Sequence, residues 1–383
     1  MQLLIMRLYF TYSDFFVQRF MNLLIATGIY PPEIGGIATY AKELAHVLRE
    51  RGHRVTVMTY GSQSSVSDDV IVVSKQGNIL VRWSRYARAL RCHAKDADAV
   101  IALSSVSVGI PVILARLKKS KKILRLGGDF FWERYTDAGG MKSLREWYET
   151  RWGFWRLVNT FIMGFILCSF DHIVYSTRFQ QELHEEMYRS LPTHSVIDNA
   201  IPVARTTQHS QHDPFKILCM TRFVGFKNLF SLIDALHQLP SLHCTFVGSG
   251  PLELALRARV QALSLQNRVT RIPPVAGTQK GQIFNDHDLL VIPSTTEISP
   301  NTALEARASG LPVLLTTETG LSSTLTEGMV VRSLRTPTEI KDAIEEVLQS
   351  YSEIAHRAGM APANRDWSVL ASEWENLFTT LRR

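Results

Sequence analysis

Short apolar runs alternate with longer segments of helical periodicity through most of this chain. The runs at Asn22–Ala26, Val55–Thr59, Val70–Val73, Ala99–Leu103, Lys122–Leu126, Asp171–Ser176 and Ser195–Ile197 predict strands. Between the first two, Ile37–Arg51 carries Tyr40, Leu44, Val47 and Leu48 on one side of a helix that Gly52 ends. Leu80–Cys92 and Gly109–Arg116 are also helical, and Leu157–Phe170, too short to span a bilayer, reads as a core helix, with membrane contact as the alternative. Asn199–Pro214 is polar and irregular and reads as a linker. The pattern then restarts, with strands at Lys216–Met220, Cys244–Val247, Val269–Ile272, Leu289–Ile292 and Val313–Leu315. Helices are expected at Leu229–Leu239, Leu252–Leu263 and Glu339–Gln349. Strand–helix alternation predicts parallel sheets, and the restart predicts an α/β chain of two doubly wound, Rossmann-like halves. A last amphipathic segment, Trp367–Leu381, presents Trp367, Leu370, Trp374, Leu377 and Phe378.

The first twenty residues break the pattern. Met1–Phe20 mixes apolar side chains with Arg7, Asp14, Gln18 and Arg19, which suits neither a signal peptide nor a membrane span. The expectation is an unpacked extension, or a true start at Met21. A length of 383 residues accommodates two substantial cores, and 45% hydrophobic with 20% charged residues is ordinary for a globular protein. The net charge of +7 favours acidic partners such as nucleotide phosphates or anionic lipid. Cys92, Cys168, Cys219 and Cys244 show no metal-ligand spacing and read as buried hydrophobes in a reducing compartment.

The strongest candidate for chemistry is Glu297–Gly310, which lies between two apolar runs. Ser299 suits the N-cap of a helix and Pro300 its first position, leaving the amides of Asn301 and Thr302 free to meet an anion. Glu305 is one turn above Asn301, and Glu297 lies in the loop at the strand's carboxyl end, where open parallel sheets bind ligands. Two carboxylates flanking a phosphate-friendly helix tip suit the hydroxyls of a sugar nucleotide better than a metal. Arg222 and Lys227 follow another strand and suit a departing diphosphate. Gly35-Gly36 lets a backbone approach a ligand just ahead of a helix.

These segments resemble retaining glycosyltransferases of family four. Glu297 to Glu305 matches their Glu-x7-Glu motif, and Ala306-Arg307-Ala308-Ser309-Gly310-Leu311-Pro312-Val313 its continuation. Met220-Thr221-Arg222 to Lys227-Asn228, Phe246-Val247-Gly248-Ser249-Gly250-Pro251 and Tyr30-Pro31-Pro32-Glu33-Ile34-Gly35-Gly36-Ile37 resemble three further family motifs in the same order. The resemblance implies a GT-B fold: an acceptor-side domain over 21–205, a nucleotide-sugar domain over 206–365 and a helix over 366–383 crossing back to the first domain.

It also implies roles. Glu297 would hold the donor sugar, Glu305 the ribose, Arg222 and Lys227 the diphosphate, with Ser299, Pro300, Asn301 and Thr302 around the phosphates. Gly35 and Gly36 would face the diphosphate or acceptor from the other domain. Asp129 would contact sugar or acceptor, although Gly128-Asp129 stands where many members have His-Asp, and Trp132-Glu133 follows. No cofactor or metal is implied. The implied reaction moves a sugar from a nucleotide-diphosphate donor to a glycan or lipid-linked acceptor in surface polysaccharide assembly. A sugar-nucleotide epimerase, another GT-B enzyme or an inactive carbohydrate-binding protein is the alternative.

The remaining signal is basic. Arg82, Arg85, Arg88 and Arg91 recur along one helix, and Lys118, Lys119, Lys121 and Lys122 cluster nearby in sequence. They suit peripheral contact with an anionic membrane from the cytoplasmic side, or simply a solvated face. No nucleic-acid motif accompanies them.

Overall fold

The structure is a computed structural model that describes residues 20–62, 65–66, 69–150, 153–201, 209–275, 277–360 and 365–382. The extension expected over 1–20 and the boundary expected at 205/206 fall almost wholly outside them. The first sheet is built from β1 (Asn22–Ala26), β2 (Arg54–Gly61), β3 (Ser65–Val66), β4 (Val70–Ser74), β5 (Ala99–Ala102), β6 (Lys121–Leu126), β7 (His172–Tyr175) and β8 (Thr193–Val196). Their order is β3-β4-β2-β1-β5-β6-β7-β8, parallel except for the β3 edge. β1 lies at the centre, with Ile25 between Val57 and Ile101. The second sheet comprises β9 (Lys216–Met220), β10 (His243–Val247), β11 (Val269–Ile272), β12 (Leu289–Ile292), β13 (Val313–Thr316) and β14 (Val330–Arg332), in the order β11-β10-β9-β12-β13-β14. These are the two doubly wound halves the pattern predicts.

In each sheet the connection reverses direction once at the centre, between β1 and β5 and between β9 and β12. Loops leaving the strands on either side of such a point diverge and open a crevice at the carboxyl ends. The loop after β9 carries Arg222 and Lys227, and the loop after β12 carries Glu297. Strands β12, wholly apolar, and β13, apolar up to Thr316, are buried along their length, because helices cover both faces.

The helix Trp367–Arg382 packs on the first sheet's core although it follows the second in sequence. Leu370, Ala371, Trp374, Leu377 and Phe378 join Tyr40, Leu44 and Leu48 of the helix Gly36–Glu50. Trp374 is wholly buried and its indole N–H donates to the Tyr40 hydroxyl at 2.9 Å. At about 1.5–3 kcal/mol per large apolar side chain, this seam outweighs any one polar contact between the halves. Arg51 donates to Glu375 at 2.6 Å beside it.

Several local expectations are corrected. The helix Phe154–Cys168 is not a core helix on all sides: Met163, Ile166 and Leu167 face the core, while Leu157, Phe161 and Phe165 are 53%, 77% and 60% exposed. In the basic helix Ile79–His93, Arg85 donates to the carbonyls of Ser74 and Gln76, and Arg91 to those of Leu114 and Ala115. These two arginines therefore pin neighbouring segments rather than simply facing solvent. Cys219 and Cys244 are buried, but Cys92 and Cys168 are exposed. No helix among the described residues is long and apolar enough to cross a membrane.

Candidate active site in the interdomain cleft

The C-terminal half of the site is assembled by backbone fit. The loop after β9 runs through a single turn at Gly225–Lys227 and leaves it at Asn228, whose left-handed backbone (φ 52°) is held by its amide donating to the carbonyls of Leu334 and Arg335. Beneath this loop lies the Gly248-Ser249-Gly250-Pro251 turn. A Cβ on Gly248 would sit 1.9 Å from the Thr221 carbonyl oxygen and one on Gly250 2.5 Å from that of Phe223. Gly248 also has φ 150°. The two glycines therefore let one loop lie flush on the other and aim the loop carrying Arg222 and Lys227.

Lys227 Nζ donates to Glu297 Oε1 at 2.5 Å, and the Ser294 hydroxyl donates to the same oxygen at 2.6 Å. The Glu297 backbone is pinned in both directions, its N–H to the Glu318 carbonyl and its carbonyl to the Gly320 N–H, each at 2.8 Å. Glu297 is only 7% exposed, and its charge is compensated by Lys227. Glu305 receives Lys280, from the helix Thr278–Asn285, in a second ion pair. Lys280 lies far from any motif in sequence, and only the fold brings it to Glu305. The helix bearing Glu305 starts one residue later than expected. Pro300 occupies the N-cap of Asn301–Ala308 and no side chain caps it. Ser299 is not the cap; its hydroxyl instead accepts from Asn199 Nδ2 at 2.8 Å.

The N-terminal domain closes directly on this tip. Asn199 Nδ2 also donates to Asn301 Oδ1 at 2.6 Å, while Asn199 Oδ1 accepts from Arg125. The Arg125 guanidinium lies 3.6 Å from the centre of the Tyr40 ring. Asn199 thus links the two domains, although its sequence context reads only as linker. A Cβ on Gly36 would lie 3.0 Å from Asn301 Nδ2, which brings the Gly35-Gly36 turn against the helix tip. Lower in the cleft the Trp132 and Phe226 rings are 5.1 Å apart, the Leu144 N–H donates to Thr296 Oγ1 at 2.9 Å, and Ile298 packs with Trp132, Leu144 and Leu183.

The two acids after β6 part company. Asp129 is 2% exposed and turned inward. Its Oδ1 accepts from the Trp132 N–H, capping the helix Phe130–Asp137, and its Oδ2 accepts from the Tyr148 hydroxyl at 2.5 Å. Burial pushes this carboxyl up, but His184, Tyr148 and the Trp132 amide together hold it below the usual range. Glu133 is half-buried, one turn along the same helix, and its Oε1 would lie 2.5 Å from a Cβ on Gly128. Burial raises its pKa to about 7, against the opposing pull of Arg222 and Lys227. The acid that feels the charges of Arg222 and Lys227 is Glu133. The sequence shows both acids, but only the helix geometry separates their surroundings. Arg222 itself is exposed at the cleft's edge. Among the described residues no three His, Cys, Asp or Glu side chains gather into a metal-holding group.

A family model described as Glycosyltransferase Family 4 matches residues 34–205, and one described as Glycosyl transferases group 1 matches residues 202–367. Together the two matches span both halves of the chain, which is a family-4-like glycosyltransferase. Among curated relatives, the D-inositol 3-phosphate glycosyltransferase of Paenarthrobacter aurescens is 31% identical over 123 residues, covering 31% of this chain and 29% of that protein. The chain's match thus spans about a third of the length of this first group of relatives, up to 35%. A GDP-mannose-dependent monoacylated alpha-(1-6)-phosphatidylinositol monomannoside mannosyltransferase of Corynebacterium glutamicum is 21% identical but covers 92% of this chain and 94% of its own. Among solved structures, sucrose-phosphate synthase from Thermosynechococcus elongatus has a TM-score of 0.77 at 16% identity, covering 94% of this chain and 99% of that one. Anabaena Alr3699/HepE in complex with UDP-glucose has a TM-score of 0.73 at 16% identity, covering 94% and 100%. This glycosyltransferase therefore has the two-domain GT-B fold.

Proposed function

We propose that this chain transfers a hexosyl unit from a nucleotide-diphosphate sugar, with retention and without a metal, to a glycan or lipid-linked acceptor in surface polysaccharide assembly. The observation that carries the reading is the Lys227–Glu297 contact, with Arg222 nearby, at the point where the second sheet reverses direction. A donor diphosphate entering there competes for Lys227. As Lys227 and Arg222 turn to the phosphates, Glu297 is released to accept hydrogen bonds from sugar hydroxyls, and Glu305 holds the ribose. The two cations then neutralise the diphosphate as its bond to the sugar breaks, which is the charge a divalent ion would otherwise carry. The acceptor hydroxyl attacks from the face the phosphate leaves and passes its proton to the departing phosphate oxygen, so no enzyme nucleophile is required.

Donors named for similar proteins, UDP-glucose in one and GDP-mannose in another, support a nucleotide-sugar donor and leave its base open. The exposed cations Arg88, Lys118, Lys119 and Lys121 support contact with an anionic membrane on the side where a lipid-linked acceptor would be met. The test is Glu297→Ala assayed with a panel of UDP-, GDP- and ADP-sugars. Transfer should fall about 100-fold or more while the thermal unfolding profile keeps its shape. Near-normal turnover would refute the assigned role.

A further inference from the structure

The exposed face of the helix Phe154–Cys168 has no counterpart in the site chemistry. Leu157, Phe161 and Phe165 are spaced four apart and form one stripe along the helix, with Ile162 beside it. Phe161 is 77% exposed, a large cost for a side chain facing water. The neighbouring helices on this side of the sheet, Ile79–His93 and Gly109–Ala115, belong to the same core, and Leu114 is exposed on the second. Arg91 Nη2 donates to the Leu114 carbonyl at 2.9 Å, which ties these two together, and Lys122 Nζ, from β6, donates to the Ser169 carbonyl at the end of Phe154–Cys168 at 2.6 Å.

The charge on this face is one-sided. The segments 79–93, 109–122 and 157–170 contain no aspartate or glutamate, while they carry four arginines in the first and Arg116, Lys118, Lys119, Lys121 and Lys122 in the second. The next acid along the chain, Asp171, accepts from the Lys122 N–H at 2.7 Å and is spent there. Protruding Leu and Phe side chains beside segments that carry cations and no carboxylate match the boundary between acyl chains and anionic headgroups.

We infer that the helix Phe154–Cys168 seats the enzyme on an anionic bilayer, inserting Leu157, Phe161 and Phe165 among the acyl chains while Arg88, Arg116, Lys118 and Lys119 meet the headgroups. This deepens the membrane contact proposed above and rests on it, but not on the donor site. The helix belongs to the domain bearing Gly35-Gly36, so seating it would hold the acceptor side of the cleft near a lipid-linked substrate.

The experiment is sedimentation of the full chain with vesicles of phosphatidylcholine alone and with added phosphatidylglycerol. The wild type should pellet with the anionic vesicles. Phe161→Ser with Phe165→Ser, at positions already in solvent, should lower partitioning about tenfold or more and leave a nucleotide-sugar thermal shift unchanged. Arg88→Gln with Lys118→Gln should lower it less and reduce its salt dependence. Binding by the phenylalanine variant equal to wild type would overturn the helix as the seat while keeping the anionic contact. No binding by wild type would overturn both. A wild-type dimer that the phenylalanine changes make monomeric would also overturn the proposal, assigning the stripe to a second copy.

Discussion

Glu133 gives the sharpest test of the cleft's electrostatics. Its carboxyl is raised from 4.5 to about 7, chiefly because burial disfavours the charged form. A group that holds its proton more tightly when folded stabilises the fold below its unfolded pKa, and the contribution disappears as pH rises through the folded one. The window is therefore pH 4.5 to about 7. The difference of roughly 2.5 pH units at 1.36 kcal/mol each gives about 3 kcal/mol, an order-of-magnitude figure. Glu133→Gln keeps the side-chain shape and removes the titration. Urea midpoints of wild type and variant should run in parallel near pH 4. By pH 8 the variant should have gained on wild type, by up to about 3 kcal/mol. Tryptophan emission suits the assay, since Trp132 adjoins the group. A wild-type-minus-variant difference that stays flat across the window, or grows in the opposite sense, would refute the reasoning.

Two further outcomes follow from the geometry. Lys227→Met strands the nearly buried Glu297 charge and should cost about 3 kcal/mol, whereas adding Glu297→Gln should recover most of that and closes a double-mutant cycle; a double-variant cost equal to the sum of the two single costs would show the pair is uncoupled. Gly248→Ala places a methyl 1.9 Å from the Thr221 carbonyl oxygen, so it should cost about 3 kcal/mol or more and abolish the nucleotide-sugar thermal shift; a cost under about 1 kcal/mol would mean the turn is not what aims the loop carrying Arg222 and Lys227.

The apolar strands, the restart of the pattern after the linker and the amphipathic tail were legible because local periodicity encodes them. So were the carboxyl-end loops, since each follows an unbroken apolar run and opens on glycine, proline or a capping residue. Residue types at the site were legible too: Arg222, Lys227, Glu297 and Glu305 stand out by motif. The partners of those residues were not. Lys280 reaches Glu305 across 25 positions and Asn199 reaches Ser299 across 100. Nor could sequence distinguish Asp129 from Glu133, since both are acids at a helix start and only the surroundings supplied by Tyr148, His184, Arg222 and Lys227 separate them. The Leu157–Phe170 run gave the same limit in another form, for an apolar helix scans alike whether one face or two are covered.

The sequence by itself determined the elements and their order, because hydrogen-bonded periodicity and turn chemistry act over a few residues. The tertiary structure alone decided which charges are compensated, which acid faces Arg222 and Lys227 and which apolar face stays in solvent. Those depend on desolvation and on distances between segments far apart in the chain, and neither is written in any local stretch of residues.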